Sequence, residues 1–289
     1  MPESCCSKHS GVALKLAAIW RRFGTMILLP MAGATNPLIA QEDFQSLELD
    51  RPTRLEDAFP LKFREWEFEL GTRADAADSG SGIFGLVEVK SGLFLNGEVG
   101  LGAEVGAQDG ANGDTQSGLD QVAAHVLYSV RRQTWAAPAL AVRLDVMTPG
   151  TGSLGRTDWG GGLRAMLTRS FGRIRTTGNG GYVVNSAADG GDYLQLGLAL
   201  DSPVGLSGRM LIGDVYAEIP TGSGRTRVWI EAGTRWQVGN NSVLDFGLAT
   251  RLDEWDLGNA NVELNVGISR VFGIPGLVSV PAYPRPSIR

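Results

Sequence analysis

From Phe63 to Phe272 the chain repeats one pattern, an apolar residue at every second position with polar or small residues between. "NVELNVGISRVF" (261–272) sets Val262, Leu264, Val266 and Ile268 against Glu263, Asn265, Gly267 and Ser269. "REWEFEL" sets Trp66, Phe68 and Leu70 against Glu65, Glu67 and Glu69. "APALAVRLDVM", "YLQLGLALD", "RVWIEAGTRWQV" and "VLDFGLATRL" behave alike, with Leu144, Leu198, Ile230 and Leu248 on apolar faces and Arg143, Gln195, Glu231 and Asp245 on polar ones. Side chains of a strand point alternately to its two faces, so a period of two kept over 200 residues predicts β-strands with chemically opposite faces. Twelve are predicted, at 63–71, 83–90, 93–105, 119–130, 136–147, 157–169, 172–184, 192–202, 207–219, 226–238, 242–252 and 260–272.

Several of these reach 11 to 13 residues, whereas soluble strands average about 5–6 residues and a tilted membrane strand needs about 9–11. The connections alternate in length. "TRADAADSGSG", "GAQDGANGDTQSG", "TPGTGSLGR", "NSAADGG", "PTGSGR" and "DEWDLGNA" are long and polar; "KSG", "RRQTW", "RSFG", "SPVG" and "VGNN" are short. Membrane barrels sort their connections this way, with long loops outside and short turns in the periplasm. The prediction is an all-β fold, an up-and-down antiparallel transmembrane β-barrel of about twelve strands over 63–272. The strand 260–272 closes the barrel on the first, so that no edge is left. Trp66, Tyr128, Trp159, Trp236 and Phe272 fall near strand ends on the outward phase and are expected in aromatic girdles. A soluble secreted β-barrel is the competing fold.

Residues 1–40 read as a cleaved export signal: Lys15, Arg21 and Arg22 precede the short apolar "FGTMILLPMAGA", with cleavage sites after Ala34 or Ala40, the second preferred. Cys5 and Cys6 are the only cysteines and leave with it. The segment holds four of the 26 basic and one of the 31 acidic residues, so the remainder carries a formal charge of −8. An acidic chain without basic clusters does not suit nucleic acid. Residues 41–62, with Pro52 and Pro60 and no period, are expected to form a periplasmic N-terminal arm, and 273–289 a Pro-rich tail outside the ladder.

"RPTRLEDAFP" followed by "WEFELG", then "APALAVRLDVMTPGTG", "GNGGY" and the closing strand ending in Phe272 resemble an outer-membrane protein family labelled as the MetA-pathway of phenol degradation, often described as transporters. The resemblance spans most of residues 50–272 and implies an outer-membrane barrel after export, but supplies no functional residues. The chain departs from the usual pattern in running 17 residues past the terminal aromatic Phe272, which insertion machinery reads in such barrels.

Candidate chemistry is sparse. Gly150, Gly152 and Gly155 match a dinucleotide fingerprint, but a strand rather than a helix follows, so they are read as loop glycines. His125 shares a face with Ser129, four positions on; at about 3.3 Å per residue the pair lies about 13 Å apart, beyond hydrogen-bond reach. Asp109, Asn112, Asp114 and Asp120 crowd one loop without an EF-hand spacing and are read as solvated. No catalytic, cofactor or metal site is assigned. The inward phases do gather charge: Glu65, Glu67, Glu69, Glu88, Glu98, Glu104 and Glu263 on strands one, two, three and twelve, and Arg143, Arg164, Arg173 and Arg175 on strands five to seven. Two alternatives follow. Either an acidic wall faces a basic one across a hydrated lumen, or the two sets pair and seal it. The expected function is passive, porin-like passage of small solutes, aromatic ones among them. Outer-membrane lipid and the insertion machinery, through the last strand, are the expected partners. A closed structural or adhesive barrel, or a lipid-modifying enzyme, is the alternative.

Overall fold

The computed structural model describes residues 53–77, 80–109, 114–154, 157–184, 191–205, 208–239, 241–252 and 261–273. The expected signal segment and the tail beyond Gly273 lie outside them. Twelve long strands run in sequence: β1 (Glu65–Ala77), β2 (Gly80–Phe94), β3 (Gly97–Asp109), β4 (Thr115–Arg131), β5 (Ala139–Met147), β6 (Gly160–Phe171), β7 (Ile174–Val184), β8 (Tyr193–Val204), β9 (Arg209–Pro220), β10 (Arg227–Gln237), β11 (Ser242–Arg251) and β12 (Val262–Gly273). Each pairs antiparallel with its neighbours, and β12 pairs back on β1 from Glu65↔Gly273 to Ala76↔Val262. The barrel is therefore closed, as the sequence predicts, and β1 and β12 leave no sheet edge between them. A two-residue segment, Thr151–Gly152, pairs with Gly118 and Leu119 of β4. Gly150 and Gly152 of the dinucleotide-like motif thus lie in a loop that folds onto a strand, and Gly155 lies outside the described residues.

Burial is inverted relative to a soluble protein. Leu101, Leu163, Leu196, Leu198, Leu211 and Leu248 are each more than half exposed, while Glu69, Lys90, Glu98, His125, Asp245 and Glu231 are buried. That distribution suits an exterior solvated by lipid and a polar interior. Tyr128, Trp236 and Phe272 stand exposed near the ends of their strands, and Trp159 stands just before β6. Trp66 pairs with Phe272, and Phe94 stacks on Tyr128 at 6.3 Å. Leu198, in the middle of β8, is 58% exposed. Leu198→Arg is expected to destabilise the barrel in lipid by about 2–4 kcal/mol, as midplane cations do. Urea titration of protein folded into vesicles measures this.

Two expectations change. The polar stretches 72–82 and 106–118 are largely strand: β1 continues to Ala77 and β2 begins at Gly80, and β3 continues to Asp109 with β4 starting at Thr115. Polar sequence is compatible with a strand wherever both faces meet water or lumen. Residues 53–62 of the arm do not hang below the barrel but lie inside it. Thr53, Leu55, Glu56, Asp57, Ala58 and Leu61 are all buried.

Candidate functional site: a charged lumen occupied by the arm

The arm meets the inner wall along its whole described length. Leu55 packs into an apolar patch made by Ala199, Met210, Ile212, Tyr216 and Val243, with Trp229 beside it. Gly197 leaves room for it, since a β-carbon there would collide with the Leu55 side chain. Ala58 and Phe59 enter a second patch of Leu127, Ala139, Ala141 and Met166. Between these patches the backbone is held by wall side chains. Glu56 N–H donates to Asn179 Oδ1 at 3.2 Å, and Asn179 Nδ2 donates to Glu56 O at 2.7 Å. Ala58 N–H donates to Thr168 Oγ1 at 2.9 Å, and Leu61 N–H to Glu98 Oε2 at 2.8 Å. A segment without secondary structure thus satisfies its polar groups inside a barrel.

The arm's charges complement the wall they face. Glu56 accepts from Arg143 Nη1 at 2.7 Å and lies 3.7 Å from Arg164 Nη1. Asp57 accepts from Arg175 Nη1 at 2.9 Å, and the same guanidinium donates Nε to Asp201 at 2.7 Å. Arg54 pairs with Glu263, and its guanidinium lies over the Trp229 ring at 4.2 Å. The expected basic wall is therefore countered by acids of the arm, and part of the acidic wall by the arm's arginine.

Other wall acids find partners from strands. Lys90 Nζ, fully buried, donates to Glu69 Oε1 at 2.8 Å and lies 3.9 Å from Glu67 Oε2. Arg73 lies 3.2 Å from Glu104 and stacks on Phe84 at 4.3 Å. Glu88 and Glu98 flank His125, at 3.3 Å from Nδ1 and 3.2 Å from Nε2. Gly100 makes that space, because a β-carbon there would strike the imidazole. Glu65 sits half-buried at the start of β1, 3.8 Å from Lys62. Arg173 is the one expected wall residue placed elsewhere. Strand β6 ends at Phe171 and β7 starts at Ile174, so Gly172, with a φ of 62°, and Arg173 form the turn. Arg173 is exposed there and donates to Gly205 O.

Sequence reasoning missed Lys90, the last residue of the predicted strand 83–90 and the first of the short connection "KSG", although the strand carries it in phase with Glu88 and runs on to Phe94. It missed the ligand role of Arg54, Glu56 and Asp57, which carry no periodic signal at all.

Arg175 donates both to Asp57 and to Asp201. Burial pushes the Asp57 carboxyl up to about 6, against the pull of Arg175 and with Glu56 and Asp201 adding to the rise. The docked carboxyl thus holds its proton more tightly than its ordinary value of 3.8 allows in the released arm. Docking is then strongest below that ordinary value and weakens as the pH rises through about 6. Protein in a planar bilayer is expected to open less at pH 5 than at pH 8, and Asp57→Asn to flatten that dependence; an unchanged slope in Asp57→Asn assigns it to other groups.

A cavity of about 160 Å³ remains beside the arm, lined by Thr53, Arg54, Arg73, Phe84, Glu104, Asp245 and Glu263 among others. The lumen is thus filled along the arm and hollow next to it.

No protein-family model and no curated protein matches this sequence, so the phenol-degradation label remains a resemblance. Among solved structures, an outer-membrane channel from Pseudomonas putida aligns with a TM-score of 0.59 at 13% identity, over 75% of this chain and 98% of that one. The NanC porin aligns with a TM-score of 0.52 at 8% identity, over 70% of this chain and 98% of that one. At such identities the likeness is one of fold, and it places the chain among closed antiparallel barrels built like outer-membrane channels and porins.

Proposed function

We propose that this protein is an outer-membrane channel that passes small solutes passively and whose N-terminal arm serves as a displaceable plug. The observation that carries the reading is the way the arm is held. Ten residues, 53–62, traverse a charged lumen on contacts from many strands, yet lack the regular structure that would fix them permanently. The exposed apolar belt and the fold shared with channels and porins support the location and the porin-like class. The acidic and basic walls give a solute path with a transverse field once the arm's own charges have left it. Phe84 and Trp229, both facing inward, supply ring faces for an aromatic solute with a polar substituent.

A lipid-modifying enzyme fits less well. Both ring nitrogens of His125 face carboxylates, which leaves neither for a serine. The test is conductance of the refolded protein in a planar bilayer under a salt gradient, with and without the arm. Discrete steps that grow when the arm is removed support the channel. Silence from both forms, with the barrel folded, overturns it in favour of a closed structural barrel.

A further inference from the structure

The seat of the Arg54 guanidinium holds more than an anchor requires. Three carboxylates surround this one cation: Glu263 pairs with it, Asp214 accepts from the Arg54 backbone N–H at 3.2 Å, and Glu231 acts on it electrostatically. Asn265 Nδ2 donates to Glu231 Oε1 at 2.9 Å and to Glu263 Oε1 at 3.1 Å, which fixes both carboxylates with their other oxygens turned away from it. The ring of Trp229 forms the floor, 4.2 Å from the guanidinium carbon. Glu231 and Asp214 are almost wholly buried, yet Glu231 Oε2 and Asp214 Oδ1 have no hydrogen-bond partner among the described residues. Arg54 Nε likewise meets no acceptor among the described residues. Buried carboxylate oxygens left without donors are costly, and a structural anchor gains nothing from them. Next to this seat lies the cavity of about 160 Å³, which Glu263, Asn265 and Arg54 also line. Asp245, also on its wall, has a buried Oδ2 without a hydrogen-bond partner among the described residues, while its Oδ1 accepts from Arg235 at 2.7 Å.

We propose that Glu263, Glu231, Asp214 and the face of Trp229 form a recognition site for a small organic cation, a solute bearing a guanidinium or primary ammonium group, and that Arg54 of the arm occupies this site as an internal surrogate. A solute cation with several N–H donors satisfies the free oxygens that Arg54 reaches only in part, and the aromatic floor favours a cation over a neutral analogue. Solute and plug then compete for one seat, so the presence of the solute releases the arm. This inference rests on the channel reading for its purpose, but not for its test.

The probe is methylguanidinium chloride, titrated calorimetrically into the detergent-refolded protein. Arg54→Ala empties the seat while Leu55, Glu56 and Asp57 keep their own contacts on the arm. The variant is expected to bind methylguanidinium about tenfold or more tightly than the parent, and the further change Glu231→Gln with Glu263→Gln to abolish the gain. Arg54→Gln serves the same comparison where Arg54→Ala does not refold. Equal, weak binding by all forms overturns the proposal and leaves Arg54 as an anchor alone. Because calorimetry needs no transport, a protein that binds the cation but never conducts refutes the channel and keeps the site. One that conducts without binding refutes the site and keeps the channel.

Discussion

A chain that begins at Phe63 is expected to give currents several-fold larger and longer-lived than those of the intact protein in the same bilayer. The described part of the arm lies against the inner wall of the barrel, with wall contacts from Arg54 to Leu61. Leu55 fills one apolar patch; burying such a side chain contributes about 1.5–3 kcal/mol. Glu56 and Asp57 neutralise Arg143, Arg164 and Arg175. Against this stands the cost of ordering an irregular segment, about 1–2 kcal/mol per residue. Docking is thus a small difference between large opposing contributions, and smaller changes should also shift it. Glu56→Gln removes one carboxylate from beside Arg164 and from one side of Arg143. Paired charges lost from buried sites cost about 3–5 kcal/mol, so this variant should open between the intact and the shortened chain. Identical currents from all three would show that ions take a path the arm does not obstruct.

Replacement of Lys90 should act on folding rather than on gating. Lys90 is 0% exposed and holds Glu69 at 2.8 Å, with Glu67 at 3.9 Å. Arg235 also faces these two carboxylates but spends its Nε on Asp245. Lys90→Met removes the nearest cation and leaves two buried carboxylates close together on β1. A loss of about 3–5 kcal/mol follows, read as a lower urea midpoint for refolding into vesicles. The companion variant Lys90→Met with Glu69→Gln should regain most of it, since one of the two neighbouring negative charges is gone. If the single variant refolds like the parent, water rather than Lys90 is solvating these acids.

How much of this was legible beforehand differs between wall and plug. The inward or outward sense of every strand could be read from residues such as Leu198 and Gln195, because lipid on one side and lumen on the other act on each residue locally. Strand ends were less legible. Arg73 and Asp75 look like loop, Lys90 looks like the boundary of strand and turn, and Arg173 looks like strand, because a polar residue does not reveal whether it faces a loop's solvent or a lumen. The walls of like charge were visible as sets, but not their partners. Arg54 meets Asp214 and Glu263 across 160 and 209 positions, and Glu56 meets Arg143 across 87.

The sequence by itself determined a closed barrel of twelve strands, with its lipid and lumen faces, since a period of two needs only nearest neighbours and two solvents. Only the tertiary structure decided what fills the lumen. The arm lacks a period, and Arg54, Leu55, Glu56, Asp57 and Ala58 acquire meaning solely from the surfaces that ring closure brings around them.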